Sequence, residues 1–428
     1  MPYHPGHNLL ERKRAFPIMR MIWVCVLFLL LPAGADAASR DQVERQFQTW
    51  LRQDLWPEAR RLGVSQNRFE NAISGVTLDW SLPDLVPPGS KPPPNRDQSQ
   101  AEFRAPAAYF SENSLQSQAR RGQALAREWA GTLDRIERKY GVPGRILIAI
   151  WGRESGFGRA KLPHSALRVL ATKAFMSTRK DLFRTEILAA LRIVERGDVR
   201  PEAMKSSWAG AMGQPQFLPS SYLEHAVDFD GDGRADIWNS VPDTLASIAN
   251  YLARHGWEKG RDWGFEVRIP DAVACDQEGP DRARPIKDWR ALGIERISGR
   301  DFPAAERRGK AMMLVPAGRD GPHFIVTPNF YVLKDYNNSD LYALFVGNLG
   351  DRIAYNSGGF RADWGRQTKM LRSDIAALQR ALENQGHDVG GADGLPGFKT
   401  RRSIGAWQIK QGRAATCFPT PALIEAIR

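Results

Sequence analysis

Residues 145–153 read RILIAIWGR, and between the two arginines apolar side chains take almost every position. A helix that is apolar nearly all round has no face for water, so it is stable only where neighbours enclose it. The flanking sequence predicts such neighbours. Leu125, Trp129, Leu133, Ile136 and Tyr140 recur three or four apart in a helical stretch over 114–140. Leu182, Ile187, Leu191 and Val194 do the same over 181–196 and are expected in the core. Further helices are expected over 42–72 and 244–255, and again from near Asp340. Gly141 ends the 114–140 stretch, and Pro143 suits the first turn of the next helix. Between about 264 and 332, FEVRI, MMLV and HFIVT are short β-favouring runs set apart by Pro and Gly. The fold class is therefore mainly α (α+β), a helical body with a small β insertion.

The 428 residues include 60 Lys and Arg against 48 Asp and Glu, a net charge of +12 that favours an anionic partner. The basic residues are spread rather than blocked, which argues against nucleic acid and leaves an anionic wall polymer or a membrane surface. Arg12, Lys13, Arg14 and Arg20 lead into an apolar run over 21–31, and Ala35-Asp36-Ala37 fits a cleavage site. Residues 1–37 thus read as an export signal, with a retained short anchor as the alternative. The run is too short to span a bilayer comfortably. Cys25 lies inside it, so only Cys275 and Cys417 remain after cleavage, either as a disulfide or as two thiols. The Pro-rich stretch over 82–100 reads as an extended connector. A main domain over 38–357, a linker over 358–368 opening on Gly358-Gly359, and a compact unit over 369–428 complete the layout. In that unit Ile375, Leu378, Ala381 and Leu382 mark one helix, Ile404, Ala406 and Trp407 a second, and Leu423, Ile424 and Ile427 a third.

The enclosed helix ends in a carboxylic acid. Ile146, Ile150 and Glu154 are four apart and share a face, with Leu147 and Trp151 beside it. Desolvation disfavours the charged form of Glu154, and so does the negative end of the helix dipole. Its pKa should rise, and an acid protonated near neutrality can donate to a leaving-group oxygen, as the acid glutamate of lysozyme does. Gly156 and Gly158 leave room for a ligand near the backbone. The competing use of Glu154 is an ion pair with Arg153 or Arg159, although Arg153 points to another helix face.

Three segments occur in order: YGVPGRILIAIWGRESGFG (140–158), SSWAGAMGQPQFLPSSYLEHAVDFDGDGRADIWNSVPDTLASIANYLARHGW (206–257) and NFYVLKDYNNSDLYALFVGNLGDRI (329–353). Together they resemble the membrane-bound lytic murein transglycosylase B family over most of 101–353. The resemblance implies a lysozyme-like catalytic domain in an exported, periplasmic enzyme whose partner is the peptidoglycan glycan strand. Such enzymes cut the β-1,4 bond between N-acetylmuramic acid and N-acetylglucosamine without water. The muramic acid C6 hydroxyl attacks its own anomeric carbon and leaves a 1,6-anhydro end. One glutamate, here Glu154, then suffices as acid and afterwards base, and no cofactor is needed for catalysis. By the same resemblance Ser207, Gln216, Tyr251, Tyr336, Asn337 and Tyr342 line the substrate cleft, with Tyr336 and Asn337 ranked above Tyr342. Each has a plainer use as a turn, a cap or a core aromatic. A hydrolytic muramidase and a non-catalytic wall-binding scaffold stand as the alternatives. No nucleic-acid partner and no membrane span after signal removal are expected, and protein partners are not legible.

DFDGDGRADIWN (228–239) fits most of an EF-hand loop. Asp228, Asp230 and Asp232 take positions one, three and five, the Arg234 carbonyl position seven and Asp236 position nine. Asn239 stands where a bidentate glutamate is usual, and Asp243 closes a longer loop of the kind known in the resembled family. Four aspartates in nine residues repel without a cation, and an all-oxygen set favours a structural calcium. A metal-free turn is the alternative, with Ser240 and Asp243 at capping-box spacing. Finally, residues 375–412 resemble the three-helix peptidoglycan-binding domain through Asp393-Gly394, Gly397, Thr400 and Trp407-Gln408. Thr416-Cys417-Phe418 replaces that domain's usual closing Asp-Gly turn.

Overall fold

The computed structural model describes residues 39–91, 106–365 and 370–427. The expected signal, the connector beyond Lys91 and the last part of the expected linker lie outside them. At the centre runs the helix Gly144–Ser155, in which Ile146, Leu147, Ile148, Ala149 and Ile150 are each 0 % exposed. Burying one large aliphatic side chain is worth about 1.5–3 kcal/mol, so enclosing this run is a major term in the cohesion of the body. It packs against the helices Asp340–Tyr355, Glu112–Glu128 and Val241–Arg254. The stretch expected as one helix over 114–140 is two, Glu112–Glu128 and Ala130–Tyr140, which meet at Trp129 (φ −100°, ψ 16°). Gly141 closes the second with a left-handed φ of 76°.

A second helical layer joins Arg40–Trp50, Trp56–Arg61 and Gln66–Ile73 to Ala166–Met176 and Lys180–Arg196. Leu182 is not in its core but 40 % exposed. Phe183 takes the inward position of that first turn, and Ile187, Leu191 and Val194 continue its face at helical spacing. Among the described residues no helix is long and apolar enough to cross a membrane.

The β insertion holds β3 (Gly264–Arg268), β4 (Arg284–Pro285), β5 (Glu295–Arg296), β6 (Lys310–Leu314) and β7 (His323–Val326), after a two-stranded pair β1 (His164–Ser165) and β2 (Lys205–Ser206). The five form one antiparallel sheet in the order β4-β6-β7-β3-β5. Met313 and Phe265 both pair with Ile325, and these three face the insertion's own core with Trp289 and Phe302. Met312, Leu314, Phe324 and Val326 face the central helices instead. Burial on both faces explains why MMLV and FIV are continuous apolar runs rather than alternating ones.

Helices Arg372–Asn384, Phe398–Lys410 and Pro421–Ile427 form the C-terminal unit around Ile375, Leu378, Leu382, Ile404, Trp407 and Ile424. It is docked on the β insertion. Cys275 and Cys417 form a disulfide with Cα atoms 6.2 Å apart, which resolves the choice between a bridge and two thiols. A side chain at Gly405 would collide with the Cys417 sulfur. In the segment read as a linker, Phe360 and Trp364 pack on the body, and Trp364 stacks on Phe110 at 4.8 Å. Aromatic side chains give this glycine-led stretch an anchor that its composition conceals.

Candidate active site

The helix Gly144–Ser155 stops at Gly156, whose φ of 58° turns the chain sharply and leaves Glu154 in the final turn. Phe157 (φ 63°) and Gly158 (φ 75°) continue the left-handed run. Such a backbone costs a non-glycine residue about 1–2 kcal/mol, here offset by burial of Phe157 edge-on against Trp151 at 5.7 Å. A side chain at Gly158 would strike the Gln214 amide, so this glycine is required by contact as well as by φ.

Glu154 itself is half-buried, and burial is the largest influence on its carboxyl, raising the pKa above the ordinary 4.5. The Tyr342 hydroxyl donates to Oε1 at 2.6 Å and works the other way, as does the Arg153 charge more weakly. No second carboxylate figures among these influences. Neither candidate arginine pairs with the acid. Arg153 donates to the Tyr109 hydroxyl at 2.6 Å and lies over the Tyr109 and Phe345 rings, while Arg159 turns back to the Gly156 carbonyl.

Tyr342 is fully buried, and burial beside Glu154 pushes its phenol well above the usual range, so it remains a donor. Its ring lies parallel to that of Tyr336 at 6.4 Å, and Tyr251 meets Tyr336 edge-on at 4.9 Å. The three hydroxyls have different partners. Tyr342 is the tyrosine that reaches the acid, whereas the Tyr336 hydroxyl donates to the Pro215 carbonyl and that of Tyr251 to the Asp335 carbonyl. Tyr251 stacks on His255 at 3.9 Å and acts as a prop behind Tyr336. Tyr336 ends one helix and Tyr342 lies in the first turn of the next, a difference that spacing alone does not reveal.

Gln216 sits half-buried in a left-handed conformation (φ 56°), and its amide N–H donates to the Gly213 carbonyl at 2.9 Å, leaving the amide oxygen without an internal donor of its own loop. Pro215 between the glutamines supplies the carbonyl that Tyr336 grips. Sequence reading missed the neighbouring Gln214. Its buried amide accepts from the Trp151 indole at 2.7 Å and donates to the Trp238 carbonyl at 2.9 Å, tying the glutamine loop to the acid-bearing helix. The clue was the glycine at 158, which makes space for it. The Ser207 oxygen accepts from the Ala211 N–H at 3.2 Å, its plainer turn use, and keeps its own proton for another acceptor. Asn337 is exposed just beyond the helix Pro328–Tyr336.

The acidic loop has a different character. Carboxylate oxygens of Asp228, Asp230 and Asp232 lie within 4.8 Å of one another on an exposed surface. Calcium–oxygen distances of about 2.3–2.6 Å allow ligands up to about 5 Å apart, so these three fit one ion. Asp236 and Asp243 stand outside this group. Asp243 is fully buried and accepts from the backbone N–H groups of Phe229 at 2.7 Å and Asp236 at 2.9 Å. Its own N–H donates to Ser240 Oγ at 3.2 Å, so the capping arrangement forms.

A helical body that presents a half-buried glutamate, its pKa raised by burial, beside tyrosines and amides defines an enzyme of the lysozyme-like class, acting on a glycan. The family described as "Transglycosylase SLT domain" matches residues 46–351, and the chain belongs to that family. It is 30% identical over 307 residues to membrane-bound lytic murein transglycosylase B of Escherichia coli (strain K12), covering 71% of this chain and 77% of that one. Crystal structures of SltB3 from Pseudomonas aeruginosa, in complex with NAG-NAM-pentapeptide and with NAG-anhNAM-pentapeptide, superpose with a TM-score of 0.79. Their sequence is 38% identical, over 89% of this chain and 99% of theirs. The lytic transglycosylase Slt35 of Escherichia coli in complex with calcium is similar at a TM-score of 0.50 and 29% identity, over 60% of this chain and 80% of that one.

Proposed function

We propose that this chain is a peptidoglycan lytic transglycosylase that cuts the β-1,4 bond between N-acetylmuramic acid and N-acetylglucosamine and leaves 1,6-anhydromuramic acid ends. The observation that carries the reading is Glu154, a carboxyl group whose pKa burial raises, held by the Tyr342 hydroxyl, while the neighbouring Arg153 and Arg159 donate elsewhere. In its acid form Glu154 donates its proton to the glycosidic oxygen as the bond to the anomeric carbon breaks. The carboxylate so formed, still hydrogen-bonded by Tyr342, takes the proton of the muramic acid C6 hydroxyl. The C6 oxygen closes on the anomeric carbon, and Glu154 ends protonated as it began. The nucleophile is part of the substrate, so attack is intramolecular and one carboxyl group is enough.

The remaining roles follow from what each group has to offer. The exposed Asn337 amide orients an N-acetyl carbonyl, the Gln216 amide oxygen accepts from a sugar hydroxyl, and the Ser207 hydroxyl donates to the substrate. Tyr336 and Tyr251 form the wall behind them. Asp228, Asp230, Asp232 and the Arg234 carbonyl hold a structural calcium, with Asp243 bracing the loop from beneath and Asp236 completing it. The complex of Slt35 with calcium agrees with this. The N-terminal signal directs export to the periplasm, and the C-terminal unit binds the wall.

The test is mass spectrometry of the products from purified peptidoglycan. Wild-type protein yields anhydro ends, and Glu154→Gln yields none. Reducing ends in place of anhydro ends would overturn the reading in favour of hydrolysis.

A further inference from the structure

The C-terminal unit makes a buried ionic contact at the root of the helix that carries Tyr342. Arg401 is 3 % exposed and its guanidinium is fixed on three sides. It meets Glu278 twice, at 2.6 and 2.9 Å, and donates to the Pro396 carbonyl at 2.8 Å. It also reaches the Asp340 carboxylate at 2.9 Å. The other Asp340 oxygen receives Lys334 at 2.7 Å, from the helix Pro328–Tyr336. Asp340 is the first residue of the helix Asp340–Tyr355, two positions before Tyr342. The turn between the two helices carries Asn337, and Ser339 caps the second by accepting from the Tyr342 N–H at 3.2 Å. Apolar packing does not fill the junction, since a cavity of about 270 Å³ remains there, lined by Ser339, Asp340 and Leu341 on one side and Phe398, Lys399 and Arg401 on the other. The polar pins are what hold it.

The geometry points to Arg401 as a positioning residue for catalysis: from the C-terminal unit it clamps Asp340 and so sets the Tyr342 hydroxyl on Glu154 and the Asn337 turn beside it. The inference rests on the activity proposed above and goes beyond a wall-binding role for the C-terminal unit. A buried guanidinium bridging two carboxylates is directional, and losing one arm frees the other partners to move. Loosening Asp340 then weakens the Tyr342 hydrogen bond, the contact that holds the Glu154 pKa down against burial.

The experiment uses the full chain with Arg401→Met combined with Glu278→Gln, so that no buried carboxylate is left without its partner. The Glu154 carboxyl is titrated by carbon-13 NMR, and turnover is measured on a soluble tetrasaccharide of alternating N-acetylglucosamine and N-acetylmuramic acid, too short to need anchoring. In the variant Glu154 titrates at higher pH than in wild type. Its kcat falls about tenfold with KM nearly unchanged, the signature of lost orientation rather than lost binding. Arg401→Lys, which keeps a charge toward Asp340, restores part of the rate. If the variant does not fold, the isosteric Asp340→Asn carries the same test with the same expected outcome. Unchanged Glu154 titration and unchanged kcat on the short substrate, with only retention on whole sacculi reduced, would overturn the proposal. Failure of wild-type protein to form anhydro ends refutes the proposed activity instead, and the NMR titration still decides the clamp.

Discussion

At the scale of single residues the site is a contest over one proton. Burial raises the Glu154 pKa and the Tyr342 hydrogen bond restrains it. In the proposed mechanism the reaction starts from the protonated acid, so activity is expected to fall as pH rises past that pKa. Tyr342→Phe removes the restraint, so the alkaline limb of the kcat/KM profile moves to higher pH and kcat drops by about tenfold or more. The same shift affects stability. A raised folded-state pKa means that, as pH climbs from the ordinary 4.5, the unfolded chain releases a proton that the folded one keeps, and stability is lost. Glu154→Gln therefore melts higher than wild type at neutral pH, and the gap closes below the ordinary carboxyl pKa, as calorimetry across pH would show. The burial and raised pKa of Glu154 were legible in the sequence because a four-residue period puts it on an apolar face. The order among the tyrosines was not, because it depends on where each hydroxyl ends, and Tyr251 and Tyr336 donate to backbone carbonyls.

At the scale of elements the central helix and the glutamine loop are coupled through one amide. Gln214→Leu removes the acceptor of the buried Trp151 indole and the donor to the Trp238 carbonyl. It should cost about 2–3 kcal/mol, read as a lower urea midpoint with the slope unchanged. The acidic loop makes a separate prediction. Calcium raises the melting temperature of wild-type protein and leaves that of Asp230→Asn much less changed, and a chelator reverses the gain. Helices were readable from periodicity, and β6 and β7 from short β-favouring apolar runs set apart by Pro and Gly. The break at Trp129 was not, because the apolar face continues across it on both helices. The exposure of Leu182 was concealed for a related reason, since Phe183 beside it satisfies the same period.

At the scale of the molecule, the part expected to act as a tethered tail is fastened to the body by a disulfide, by the Arg401 bridges and by Arg402 on Asp281 at 2.6 Å. The cysteines are 142 positions apart, and closing a loop of that size removes about 5 kcal/mol of unfolded-state entropy in the simplest chain model. Replacing both by alanine should cost about 2–5 kcal/mol by denaturant titration. Sequence composition marked 358–368, opening on Gly358-Gly359, as a linker and gave no sign that Phe360 and Trp364 close over the body, since contacts at long sequence separation leave no local period.

Arg401 and Cys417 are also late arrivals during synthesis, downstream of the segments they fasten. A nascent copy lacks Arg401, the second counter-ion of Asp340 beside Lys334, until the ribosome has delivered the second helix of the C-terminal unit. The order of translation thus delivers this clamp only after the residues that it fastens.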